Sequence, residues 1–181
     1  TIIISALYFM LPAYAADALP VIGNRFNLLQ KLKIPVDNGY KLNDKPLFGQ
    51  SKTIRGFVLG VIGAILVGFI QYLLHDITII KNISLVNYNL SISLLLGFLL
   101  GFGTLLGDLL KSFFKRRIGI KSGSPWIIAN QTDYVIGALL LASPVVILNL
   151  SYIITIFILS GLLAFIANVI SYSIGMKNVW W

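Results

Sequence analysis

Five apolar stretches, at 1–16, 56–74, 90–110, 134–148 and 152–174, constrain this chain more than any motif in it. Each approaches the ~20 apolar residues an α-helix needs to cross a ~30 Å hydrocarbon core, the first and fourth being the shortest. Lipid offers no partner for a backbone N–H or C=O, so a crossing must satisfy its own hydrogen bonds, as a helix does. The alternating pattern of a membrane barrel is missing. Of the 181 residues 57% are hydrophobic and 11% charged, where a soluble domain carries about a quarter charged. The expectation is an all-α integral membrane protein: a single membrane-embedded domain over 1–181 with five transmembrane helices. A soluble globular fold, a disordered chain and a nucleic-acid-binding tail are excluded.

The cations set the orientation. Seven lie between or beside the first two stretches, from Arg25 to Arg55, and five follow the third, from Lys111 to Lys121. With Lys177 they share one face of a five-span arrangement, leaving Lys81 alone on the other. The positive-inside rule then puts the N-terminus outside, the C-terminus inside and two long basic loops in the cytoplasm. A competing reading takes Ala13-Tyr14-Ala15 as a signal-peptide cleavage pattern. Against it, no basic residue precedes the stretch and basic residues follow it. Pro20, Pro35 and Pro46 are expected to break any long helix in the first inner segment, and Asp37-Asn38-Gly39 to form a turn.

Cysteine and glutamate are absent and there is one histidine, so Asp, Lys, Arg, hydroxyls and backbone must carry any chemistry. Asp108 closes the third stretch and Asp133 opens the fourth, both at the expected cytoplasmic boundary. Two carboxylates beside the cluster Lys111, Lys115, Arg116 and Arg117 suit Mg²⁺ held against a polyphosphate. The alternative is that Asp133 caps a helix and Asp108 is a solvated end residue, while the cations fix topology or attract anionic headgroups. The run from Phe48 to Gly56, with Gly49, Lys52, Thr53, Arg55 and Gly56, opens a helix with hydroxyls, cations and free N–H groups, a natural phosphate site. Gly97, Gly101, Gly103 and Gly107 have the spacing of close helix packing. His75, Trp126, Trp180 and Trp181 are expected at the membrane interface.

Taken together, three segments resemble the archaeal CDP-archaeol synthases, relatives of the bacterial CDP-diacylglycerol synthases. They are Leu11-Pro12-Ala13-Tyr14-Ala15-Ala16 running into Asn24; Pro35 to Gly39 with Pro46 to Gly49 and Lys52 to Gly56; and Gly107 to Arg117 followed by Gln131-Thr132-Asp133-Tyr134. The ending from Asn168 to Trp181 also fits, so the resemblance covers essentially the whole chain. It implies a cell-membrane cytidylyltransferase using CTP and Mg²⁺ on 2,3-bis-O-geranylgeranylglycerol 1-phosphate, with a CDP-activated lipid and pyrophosphate as products. It further implies that Asp108 and Asp133 hold the metal and that Lys115 and Arg116 neutralise phosphate charge. Gly49, Lys52, Thr53, Arg55 and Gly56 would line the nucleotide site. Asn130 departs from the family pattern, where an acid before Gln is expected.

Two other readings stand beside this one: a synthase acting on ester phosphatidic acid, and a membrane transporter or assembly subunit. Transport calls for ionisable residues near mid-span, whereas the expected spans keep their acids at one edge.

Overall fold

The computed structural model describes residues 2–120, 124 and 126–176, with backbone alone for 127–131. Lys121, Lys177, Trp180 and Trp181 lie outside the described residues, as do the side chains of Asn130 and Gln131. In chain order the elements are α1 (Ile2–Arg25), β1 (Lys41–Leu42), β2 (Lys45–Pro46), α2 (Ile54–Leu74), α3 (Thr78–Ile83), α4 (Leu90–Arg117), α5 (Ile127–Ala142) and α6 (Leu150–Ser173). β1 and β2 form a small antiparallel hairpin in an otherwise helical architecture. Among the described residues four helices, α1, α2, α4 and α6, are long and apolar enough to cross a membrane, and α5 contributes a shorter apolar stretch over Thr132–Ala142. The chain is a multi-pass membrane protein.

Several boundaries differ from expectation. α1 does not stop at residue 16 but continues through Pro20 to Arg25. A proline within a helix leaves the carbonyl four residues earlier without its donor, so Pro12 frees that of Tyr8 and Pro20 that of Ala16. The amide of Gln71 on α2 donates to the Tyr8 carbonyl at 2.6 Å, and the Ala16 carbonyl packs against Gly60 of α2, where a Cβ would stand only 2.8 Å away. Packing on α2 therefore keeps intact a helix that local rules would break. The fourth apolar stretch is expected over 134–148, yet α5 runs from Ile127 to Ala142. Ser143 precedes Pro144, whose ring disfavours helical backbone at the residue before it. The segment 75–89 contains α3, and α4 continues past 110 to Arg117.

α4 is the centre of the bundle, packed against α1, α2 and α5, while α6 leans on α1 and α5. Its glycines open two seams, Gly97 and Gly101 towards Ala64 of α2, and Gly103 and Gly107 towards Gly137 and Asp133 of α5. Glycine is required at Gly107, because a Cβ there would strike the Asp133 carbonyl. Such seams let membrane helices pack backbone to backbone. α6 is tied to this core by the Tyr14 hydroxyl, 2.8 Å from the Ser160 Oγ, and by the Tyr134 hydroxyl donating to the Ser160 carbonyl at 2.7 Å.

The α1–α2 connection is ordered by its own polar groups. The Asp37 carboxylate accepts from the N–H groups of Gly39, Phe48 and Gly49 at 3.1, 2.9 and 3.1 Å, closing the expected turn. Burial pushes its pKa up, but those three donors outweigh burial and hold the carboxyl below its ordinary value. Val36 donates to the Lys52 carbonyl at 2.8 Å and Ile54 to the Ile34 carbonyl at 2.9 Å, which pins the entry to α2. Arg117 donates to the carbonyls of Leu42 and Pro46, docking the hairpin on the end of α4.

Candidate active site

At ~1.5 Å per residue, the 28 residues of α4 extend ~42 Å, well beyond a ~30 Å hydrocarbon core. Its last turns carry Asp108, Lys111, Lys115 and Arg116 into a cavity of about 650 Å³, within the size range of small-molecule sites. α1 contributes Asp17 and Asn24 to the wall, the start of α2 contributes Lys52, Thr53, Arg55 and Gly56, and α6 contributes Asn168.

Asp108 and Asp133 converge. The Lys111 ammonium lies 3.0 Å from Asp108 Oδ1 and 2.8 Å from Asp133 Oδ2, so one cation bridges carboxylates on two helices. Lys52 pairs with the other oxygen of Asp108. The close approach of Gly107 to the backbone at Asp133 makes this possible, since a bulkier residue would push α5 away. Neither bland reading of these acids holds: Asp133 lies inside α5 rather than at its cap, and Asp108 is ion-paired nine residues before the end of α4.

The other expected residues divide into those facing the cavity and those spent on local structure. Lys115 is buried and donates to the Ser124 carbonyl at 2.6 Å. Arg116 is buried on the cavity wall, and its Nε has no protein partner. Arg55, also buried, donates to Asn24 Oδ1 at 2.7 Å, linking α2 to α1. Thr53 caps α2, its hydroxyl accepting from the Gly56 N–H at 3.2 Å, so that N–H is already engaged. Gly49 is not on the cavity wall; its φ of +99° forms a turn and its N–H is given to Asp37. His75, expected at the interface, is buried at the opposite end of the bundle beside Asn87 and Tyr88.

Two features escape the sequence reading. Asp17 lines the cavity as a second acid beside Asp108 because α1 continues past residue 16. Lys111, one helical turn from both Asp108 and Lys115, is the bridge between the carboxylates; the i, i+3 and i, i+4 spacings were the available signal. The donor set accommodates a hard divalent cation. Asp108 and Asp133 already enclose a cation, the Lys111 ammonium, and Asp133 Oδ1 is buried without a partner. No cluster of three or more His, Cys, Asp or Glu side chains forms among the described residues. Two carboxylates completed by substrate phosphates and waters is the arrangement Mg²⁺ accepts.

Comparison with known proteins decides the family. A model of the CarS-like CDP-archaeol synthases matches residues 1–181. This chain belongs to the CDP-archaeol synthase family. The family's curated members include the CDP-archaeol synthase of Methanospirillum hungatei, 41% identical over 95% of this chain and 100% of the relative. That of Thermococcus onnurineus is 39% identical over 97% and 95%, and that of Methanocaldococcus jannaschii 34% over 99% and 98%. Among solved structures the chain is similar to one described as an intramembrane enzyme for archaeal membrane lipids biosynthesis. The TM-score is 0.73 at 28% identity, covering 90% of this chain and 92% of that one.

Proposed function

We propose that this chain is a membrane cytidylyltransferase that transfers CMP from CTP to 2,3-bis-O-geranylgeranylglycerol 1-phosphate, releasing pyrophosphate and a CDP-activated ether lipid. The reaction class follows from the family. The observation that carries the site is the meeting of Asp108 and Asp133 through Lys111, at a cavity lined by Lys52, Lys115, Arg116 and Arg55. Attack of a lipid phosphate oxygen on the α-phosphorus displaces pyrophosphate and needs no protein nucleophile. What it needs is positioning and neutralised charge. A chain without cysteine, whose single histidine lies at the other end of the bundle, is suited to that chemistry.

Asp108 and Asp133 are the residues to hold Mg²⁺, which when bound neutralises and orients the nucleotide phosphates. Lys115 and Arg116 offset phosphate charge on nucleotide or lipid. Lys52 stands at the mouth of α2, where Thr53, Arg55 and Gly56 complete the wall on the nucleotide side. In the membrane, α5 serves as the fifth crossing, the N-terminus lies outside and the cavity faces the cytoplasm. The thirteen-to-one distribution of cations supports that orientation.

The test is incubation of purified protein with labelled CTP, Mg²⁺ and either the ether lipid phosphate or ester phosphatidic acid. Labelled lipid from the ether acceptor is expected. Product from the ester acceptor alone would instead make the chain a CDP-diacylglycerol synthase.

A further inference from the structure

Lys111 stands where the proposed metal has to go. Lys111 lines the cavity and Asp133 does not, and the Lys111 ammonium holds that carboxylate at 2.8 Å. The Lys111 side chain is 12% exposed and Asp133 8%. Of the four carboxylate oxygens, two contact Lys111, one contacts Lys52, and Asp133 Oδ1 is buried without a partner. Two lysines thus balance these two aspartates. A divalent cation touching both carboxylates would stand within a few ångströms of the ammonium, where like charges repel strongly. Lys111 and the metal therefore exclude one another.

We propose that Lys111 is a tethered counter-ion that bridges the two carboxylates until metal and CTP enter together, and is then released onto the nucleotide phosphates. The inference rests on the function proposed above and adds to it a coupling. Metal alone must expel Lys111 without bringing it a new partner, whereas CTP brings phosphate oxygens to the same cavity. Lys115, one turn further along the same face of α4, marks the direction of travel. Because coupling between two ligands is reciprocal, CTP tightens metal binding by the same factor that metal tightens CTP. The role of Lys111 is read in that factor rather than in turnover.

The experiment measures Mn²⁺ binding to the purified full-length chain by electron paramagnetic resonance. Lipid acceptor is omitted, CTP is absent or present, and a protein-free control corrects for the Mn²⁺–CTP complex. Wild type is expected to bind Mn²⁺ weakly alone and about tenfold or more tighter with CTP. Lys111→Met is expected to bind Mn²⁺ alone about ten- to a hundredfold tighter than wild type, the scale of one unit charge removed at contact distance, and to gain little from CTP. Lys111→Gln keeps a polar group between the carboxylates and serves if the Met variant does not fold; the same direction is expected. Equal Mn²⁺ binding by wild type and the neutral variant without CTP overturns the inference, as does tight, CTP-independent binding by wild type. Wild-type binding with CTP that Asp133→Asn leaves unchanged would instead reject the metal site itself. A rejected lysine role beside an Asp133-dependent Mn²⁺ site leaves the proposed function standing.

Discussion

The two ends of the bundle bury polar groups in opposite ways. At one end Lys52, Asp108 and Lys111, on the wall of a cavity, form a charged chain that ends on Asp133 behind it, with Lys115 and Arg116 as further cations on the wall. At the other, polar groups pair with no ion pair among the described residues: Gln71 donates to the Tyr8 carbonyl, His75 bonds Asn87 at 3.0 Å, and the rings of Tyr8 and His75 meet Tyr88 edge-on. The neutral cluster repairs the backbone that Pro12 disrupts and ties α1, α2 and the 84–89 segment together. The charged one leaves cations beyond those its acids balance. Buried ion pairs rarely stabilise a fold more than apolar residues of the same volume would. Among the described residues they occur at only one end, beside a cavity, which points to ligand chemistry there, while the other end reads as structure.

That contrast can be broken by experiment. The largest effect is expected at the charged end: Asp108→Asn and Asp133→Asn should each lower CTP-dependent pyrophosphate release by about 10²-fold or more. Both proteins should still elute as folded species in detergent, and near-normal release from either would remove that residue from the site. Gly107→Ala comes next, since its methyl would meet the Asp133 carbonyl. It should cost about 1–3 kcal/mol by thermal unfolding in detergent, and transfer should fall with it as the carboxylates separate.

At the neutral end, Gln71→Leu strands the Tyr8 carbonyl and should cost about 1–3 kcal/mol of stability. Its turnover per folded molecule should stay at the wild-type value, and a selective loss of activity would erase the distinction between the ends. Lys52→Ala should raise the KM for CTP by about tenfold, read from initial rates, through loss of one charge-assisted contact. The smallest effect belongs to Asp37, which shapes the loop without facing the chemistry. Its carboxyl titrates below its ordinary value, so the stability it contributes is complete above the unfolded-state pKa and fades as pH falls through the native one. Asp37→Asn should lower the neutral-pH melting temperature modestly and flatten that acid limb, so that variant and wild type converge at low pH.

What the sequence determined by itself was whatever depends on composition along a short stretch. Apolar runs mark membrane helices, cations gather in two segments, and Asp108 and Asp133 bracket the second of them. Gly107 and its companions have the spacing of a packing seam. Tertiary structure decided what depends on neighbours far along the chain. Pro20 reads as a helix breaker because a local rule cannot know that Gly60 will pack against the carbonyl it frees. Asp17 therefore had no visible reason to belong to the site. Lys111 reads as one cation among several, because only the α4–α5 contact through Gly107 brings Asp133 within reach of it. Propensity acts over a turn or two, whereas the meeting of two carboxylates depends on how closely two helix backbones approach.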